Sequence, residues 1–315
     1  MKQYQSVECL LHALMKTPVL RGDRDESLLE WYRRLRLDGD SVVSEDLIAL
    51  QGGFYANSVG QAFIYGYEIA IQRLTGLDTK DQLAAFCVTE NKSTHPKSMQ
   101  VSLSKGQQGK VLLAGKKDFV TLAGSTKWLL VAAKSAVSSD GRNQIKLVKV
   151  DASLPGVDIE TLPPLPFVPD VSHGVVTFDS VSIDESDVFS GDGYGDYVKP
   201  FRWFEDVNVF IALSGYLLKI AITNQWPVES RVEIISILTA LIGMQRMEAD
   251  EPVAHIVMFD QVSRLERWLD RYDQAWGSVD SSVAVAWKRD KGILKIASHA
   301  RSVRYAKALS RMRLA

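Results

Sequence analysis

Apolar positions recur at helical spacing towards both ends of the chain and change character in its middle. Within Glu26–Leu37, the residues Leu28, Leu29, Tyr32 and Leu35 share one helical face. Gly52–Leu74 carries few charges and several small residues, which predicts a buried helix packed closely on its neighbours. From about residue 86 the helical period stops and β-branched runs appear between turn signals. Strands are predicted over Phe86–Thr89, Lys110–Ala114, Phe119–Leu122, Trp128–Ala133, Ile145–Val150 and Val175–Phe178. Ser138–Gly141 reads as a hairpin turn, and the four prolines of Leu162–Pro169 as an extended crossing loop. Gly191–Gly195 reads as a glycine-rich exit loop, since its spacing is neither a Walker nor a Rossmann pattern. Helical spacing resumes after 200, with segments at about 201–223, 228–249, 252–276 and 280–313, separated by Gln225-Trp-Pro227, Glu251-Pro252 and Gly277-Ser278. The order predicts an α+β multidomain chain: an N-terminal helical domain over 1–85, a central β domain over 86–199 and a C-terminal four-helix bundle over 200–315.

Charge and composition narrow the class. The chain has 315 residues, 37 Lys+Arg against 38 Asp+Glu, and a formal net charge of −1. That balance argues against a nucleic-acid binder relying on bulk positive charge. The longest uncharged apolar runs, Val207–Leu218 and Ile234–Gln245, have 12 residues each, short of the roughly 18 that a membrane span needs. No apolar leader follows the N-terminus, so a cytoplasmic protein is expected. Two cysteines, Cys9 and Cys87, make neither a disulfide framework nor a zinc cluster, and His12, His95, His173, His255 and His299 show no ligand spacing. No metal site is expected.

Two segments could carry chemistry. Phe86-Cys-Val-Thr-Glu90 is a strand ending in a hydroxyl and a carboxylate; Gly115–Gly124 is a turn followed by Phe119-Val-Thr121. Each brings a threonine hydroxyl and backbone amides to a strand end beside an aromatic wall. A planar, hydrogen-bonding heteroaromatic wants that arrangement. The alternative is a pair of amphipathic strands whose Phe and Thr simply fill pleated positions.

These residues also resemble the acyl-CoA dehydrogenase family. Phe86–Glu90 is similar to its aromatic-Cys-x-Thr-Glu segment, Gly115–Ser135 to its Gly-x-Lys-x-(Trp/Phe)-Ile-Thr segment and the strand after it, Leu154–Val157 to its Pro-Gly-Val element, and Val175–Val181 to its Val-x-Phe-Asp-x-Val strand. The resemblance implies an acyl-CoA-dehydrogenase-like fold, FAD as cofactor, and α,β-oxidation of an acyl-CoA or other acyl thioester with hydride transfer to flavin. It implies that Phe119 stacks on the isoalloxazine, that the Thr121 hydroxyl bonds near N5, that Val88 and Thr89 bind the pyrimidine edge, and that Phe86 lines the pocket.

The chain also departs from the family. After Thr-Glu the family's Pro-x-x-Gly-Ser-Asp is replaced by Asn91-Lys-Ser-Thr-His-Pro96, which puts Thr94 and His95 at the substrate-facing positions. Asn224-Gln-Trp-Pro227 stands where an arginine normally approaches the cofactor's pyrophosphate. The family's last glycine-rich stretch, and the common catalytic glutamate beyond it, have no counterpart in this sequence. Some members place the base near the start of the first bundle helix, and Phe204-Glu205-Asp206 falls there. Glu205 is therefore the expected general base, its pKa raised by burial; the plainer reading is an acidic residue of a helix's first turn. The basic stretch Lys288–Arg313 reads as a solvated face or as a surface for CoA phosphates or another anion. Apolar residues on more than one face of 228–249 and 252–276 predict a homodimer or homotetramer. Two outcomes are expected: a flavoenzyme with these roles, or a divergent, non-catalytic member that has lost FAD and serves as a subunit or binding scaffold. Another flavin chemistry on this fold, such as monooxygenation, would need no α-proton base.

Overall fold

The computed structural model describes residues 5–16, 26–39 and 43–314. The first four residues, where a leader was sought, lie outside the described residues. The chain forms two compact units: Met1–Ala70 with Pro166–Val168 and Trp203–Ala315, and Ile71–Leu165 with Pro169–Arg202. Helices from both ends of the chain thus share one unit, and the sheet lies in the other.

The helices are α1 (Val7–Lys16), α2 (Leu28–Gly39), α3 (Ile48–Tyr55), α4 (Val59–Thr75), α5 (Lys199–Thr223), α6 (Val228–Met244), α7 (Pro252–Arg271), α8 (Ser281–Asp290) and α9 (Ser298–Arg311). A capping box starts α2: Ser27 Oγ accepts the Glu30 amide, and the Glu30 carboxylate accepts the Ser27 amide. The single helix expected over Gly52–Leu74 is interrupted. Ala56 turns extended after α3, and Ser58 Oγ accepts the Gln61 amide at 3.0 Å to start α4. The small residues do bring backbones together. A Cβ on Gly66 would lie 2.6 Å from Val209 Cα, one on Gly215 would lie 2.8 Å from the Leu50 carbonyl, and one on Gly53 would meet the Ala212 carbonyl.

Those contacts pack α3 and α4 against α5, whose side chains are buried almost throughout. The run Gly193–Thr223 is long and apolar enough to cross a membrane, longer than its uncharged core predicts, yet 89 % of that apolar window is buried inside the structure. By that burial it is a core helix, and from Trp203 onward it belongs to the helical unit.

The helix expected over 280–313 is also broken. A 3-10 turn over Lys291–Lys295 follows α8, and Ala297 is left-handed at φ 58° before α9. Arg301 explains how the break is tolerated. Its guanidinium donates to the Leu294 and Ile296 carbonyls, 2.8 Å each, and to Asp206 Oδ1 at 3.2 Å. Trp226, Trp268, Trp276 and Trp287 form an aromatic chain, with centroids 5.0–5.6 Å apart between neighbours. Ile234, Leu238, Leu241, Leu265 and Trp268 are buried within the chain itself. Part of the apolar surface of α6 and α7 is therefore covered by the fold itself, while Ile235, Ile256, Val257 and Phe259 are only half-buried.

In the other unit a seven-stranded sheet comprises β1 (Ala84–Cys87), β2 (Ser102–Lys105), β3 (Lys110–Thr121), β4 (Trp128–Val137), β5 (Asn143–Asp151), β6 (Val157–Thr161) and β7 (His173–Asp184). β4 carries β5 antiparallel and takes β1 and β2 in parallel, at Trp128–Val131 and Lys134 respectively. β2 leads to β3, β7 and β6, all antiparallel. The strands expected over Lys110–Ala114 and Phe119–Leu122 are one strand, kept long by two irregularities in its pairing with β7. Between Leu113–Val181 and Gly115–Phe178 the extra residue is on β7, where Ser180 has φ 51°. The inward side chains of β7 accordingly change parity, from Val176 and Phe178 to Val181 and Ile183.

The Gly191–Gly195 stretch proves to be a helix start. Gly193 opens a π-helical turn that runs into α5, and Asp192 accepts the amides of Tyr194 and Gly195, 3.1 Å each. A Cβ on Gly193 would come within 2.5–2.7 Å of the Lys146–Leu147 backbone, so only glycine fits there.

Candidate functional site

The second irregularity of β3 shapes the site. Lys117 pairs with Val176 and Val120 with Gly174, so β3 takes three steps where β7 takes two. The extra residue is a β-bulge, and Phe119 sits in it with φ 53°. A bulky aromatic in the left-handed region is uncommon and strained. Phe119 is 49 % exposed, and its ring packs at 4.5 Å centroid distance on His173, which pairs with Thr121 across the ladder. The bulge therefore presents an aromatic face with the Thr121 position two residues on. His173 is buried, its Nδ1 is 3.1 Å from the Val171 carbonyl, and burial holds its pKa below the usual value. Sequence reasoning passed over His173 because it sought metal-ligand spacing. Its place at the start of a β-branched run was the available signal.

The end of β1 adjoins that bulge. Asp118 N donates to the Thr89 carbonyl at 2.8 Å, and Lys117 Nζ donates to the Val88 carbonyl at 3.2 Å. Lys117 also meets Glu90 Oε1 at 2.6 Å, with both side chains buried. Burial lowers the Lys117 pKa, opposed by its bond to Glu90. The Cys87 thiol, fully buried beside them, is pushed up to about 12 and is no nucleophile at neutral pH. Glu90 and Lys117 stood inside the two segments singled out in the sequence, but neither was given a role. Charges at inward positions of apolar strands were the sign that they pair.

The structure brings Val88, Thr89, Phe119 and Thr121 to neighbouring strand ends. Phe86 is buried and stacks on Phe201, 4.1 Å between centroids. Thr94 and His95 are exposed on the following loop. Glu90–Ser93 closes as a two-residue turn with Asn91 and Lys92 at φ 48° and 63°, and its ends exchange two 2.9 Å backbone bonds. His95 Nδ1 accepts the Lys97 amide, capping a short 3-10 turn. Glu205 belongs to the helical unit. It lies in the second turn of α5 and is buried, so the reading as an acidic residue of the helix's first turn does not hold. Its neighbour Asp206 pairs with Arg301 at 3.2 Å and Arg304 at 3.7 Å. At the end of α5, Asn224 Nδ2 donates to the Ile220 carbonyl at 2.8 Å, so this amide is bonded within its own helix.

For FAD, the residues fit on one side. An exposed, conformationally strained aromatic beside a threonine suits the flat ring system; Asn224 offers no cation for a pyrophosphate. Among the described residues, no group of His, Cys, Asp and Glu could hold a metal.

Residues 85–181 match the acyl-CoA dehydrogenase middle domain. Solved structures with a similar fold include PigA in its apo form (14 % identity, 100 % of both chains, TM-score 0.68) and with FAD and proline (15 %, 91 % of this chain and 90 % of that one, 0.63). Butyryl-CoA dehydrogenase from Megasphaera elsdenii is 15 % identical over 96 % of this chain and 90 % of its own, with TM-score 0.61. The prolyl acyl carrier protein oxidase AnaB is 14 % identical over 90 % and 88 %, with TM-score 0.63. At such identities the likeness shows the fold. The chain thus has an acyl-CoA-dehydrogenase-like fold along its length and, over residues 85–181, matches that family's middle domain.

Proposed function

We propose that this protein is an FAD-dependent oxidoreductase acting on an acyl thioester by α,β-oxidation. The observation that carries the reading is the exposed Phe119 ring, held at positive φ in a bulge between Lys117 and Val120. A strained, half-exposed aromatic is retained where something stacks on it. Phe119 and the Thr121 hydroxyl would hold the ring system, Val88 and Thr89 its pyrimidine edge, and Phe86, stacked on Phe201, backs that strand end. FAD, when bound, supplies the two-electron acceptor for the hydride leaving the substrate's Cβ. Glu205, buried on α5, would take the α proton on its carboxylate. Thr94 and His95, exposed on the loop after Glu90, would meet the acyl thioester. A cytoplasmic homodimer or homotetramer remains part of this reading. Its support is Val228 and Val232, one helical turn apart on α6 and 56 % and 61 % exposed.

The purified protein should be yellow or should bind added FAD with a rise in melting temperature. Thr121→Ala should weaken that binding by about 1 kcal/mol, one hydrogen bond. Glu205→Gln should leave FAD bound and abolish flavin bleaching by an acyl thioester. A colourless protein whose melting temperature ignores excess FAD rejects the enzyme. The second reading, a scaffold without FAD, would then stand, favoured by Asn224 bonding its own helix and by the tight turn at Glu90–Ser93.

A further inference from the structure

Two charges stand in the apolar interior of the sheet unit without a part in the proposed chemistry. The Lys117 side chain is fully covered and that of Glu90 is 4 % exposed. A buried pair of this kind is a poor source of net stability, because apolar side chains of like volume often do as well. Its bonds show what else it does. Lys117 Nζ donates to Glu90 Oε1 at 2.6 Å and to the Val88 carbonyl at 3.2 Å. Glu90 Oε2 accepts the Gln100 amide at 2.6 Å and the Val101 amide at 3.2 Å. One residue on, Asp118 N donates to the Thr89 carbonyl, and Asp118 Oδ2 accepts the Asn91 amide at 2.7 Å.

Residues 88–91, 100–101 and 117–118 are fastened together where the ladder fails. Asp118 and Phe119 fall in the register jump between Lys117 and Val120, so no pairing with β7 holds them. Left to itself, a strained residue at such a jump would relax towards ordinary strand dihedrals. The polar cross-link stands one and two residues before Phe119 and grips the strand end that carries Val88 and Thr89.

We infer that the buried Lys117–Glu90 pair is a clamp that positions Phe119 and the Val88–Thr89 strand end for the flat ligand they meet. Both are positioning residues. The inference deepens the flavin reading and rests on it for the identity of that ligand.

The test uses the full chain and two variants. Lys117→Met with Glu90→Gln removes both charges, keeps volume and keeps an acceptor for the Gln100 and Val101 amides. Lys117→Met alone serves as the harsher companion. Amide hydrogen exchange is read by mass spectrometry on peptides covering 86–92 and 116–122, with 129–133 and 145–150 as internal controls, alongside FAD titration. In the double variant, exchange at 86–92 and 116–122 should rise at least tenfold while the controls stay unchanged, and the FAD dissociation constant should rise at least tenfold. Exchange that is unchanged, or that rises uniformly across the unit, overturns the clamp and leaves an ordinary stabilising pair. A local rise with FAD affinity unaltered also overturns it, because the held segment then does not position the ligand. If the parent protein binds no FAD yet the local rise appears, the clamp stands and the flavin reading falls.

Discussion

Phe119 offers a comparison in which the usual order of two substitutions should reverse. In an ordinary strand, Ala is more stable than Gly by roughly 0.5–1 kcal/mol, because glycine loses more backbone freedom on folding. At a left-handed φ, any residue with a Cβ carries a penalty of roughly 1–2 kcal/mol that glycine escapes. Phe119 has φ 53°. Phe119→Ala and Phe119→Gly lose the same ring contact with His173, so their difference isolates the backbone. Setting one effect against the other, Phe119→Gly should be the more stable variant by about 0.5–1 kcal/mol. Against the parent, neither should approach the roughly 3–5 kcal/mol of a fully buried phenylalanine, since Phe119 is 49 % exposed. Urea denaturation followed by far-UV circular dichroism, with equal m-values for the two variants, measures the difference. If Phe119→Ala is the more stable by 0.5 kcal/mol or more, Phe119 is not held in the left-handed region in solution. Phe119 would then carry no strain that calls for a ligand on its ring.

Two further tests probe the helical unit. Gly66→Ala should destabilise by about 1–3 kcal/mol, because a Cβ would lie 2.6 Å from Val209 Cα, whereas Gly243→Ala on α6, with nothing within 4 Å, should stabilise by up to about 1 kcal/mol; paired denaturation curves decide both. Lys219 is buried with its ammonium on the Ala56 carbonyl, and burial lowers its pKa from 10.5 to about 8. Below pH 8 the folded protein bears the full cost of that buried charge. Between pH 8 and 10.5 the unfolded chain holds a proton that the folded one does not, so stability should rise there by roughly 3 kcal/mol relative to Lys219→Met. Parallel melting curves of the two proteins from pH 7 to 10.5 that stay a constant distance apart would refute this.

The sequence by itself determined the order of elements and the segments that matter. Helical spacing at both ends, β-branched runs between turn signals, and the Phe86–Glu90 and Gly115–Gly124 segments are local signals, written within a few residues of one another. The tertiary structure decided whatever depends on a partner distant in the chain. Three blocks in sequence are two units in space, because the terminal helices share one core through glycines that let α3 and α4 touch the α5 backbone. Two expected strands are one, because β7 supplies the register that carries β3 through its bulges. The break in the last helix is tolerated because Arg301, bonded to Asp206 95 residues earlier, takes up the carbonyls that the break releases. Phe119 could be picked out from its neighbours in the sequence; its left-handed conformation, its contact with His173 and the Lys117–Glu90 pair behind it arise only when strands distant in sequence are brought side by side.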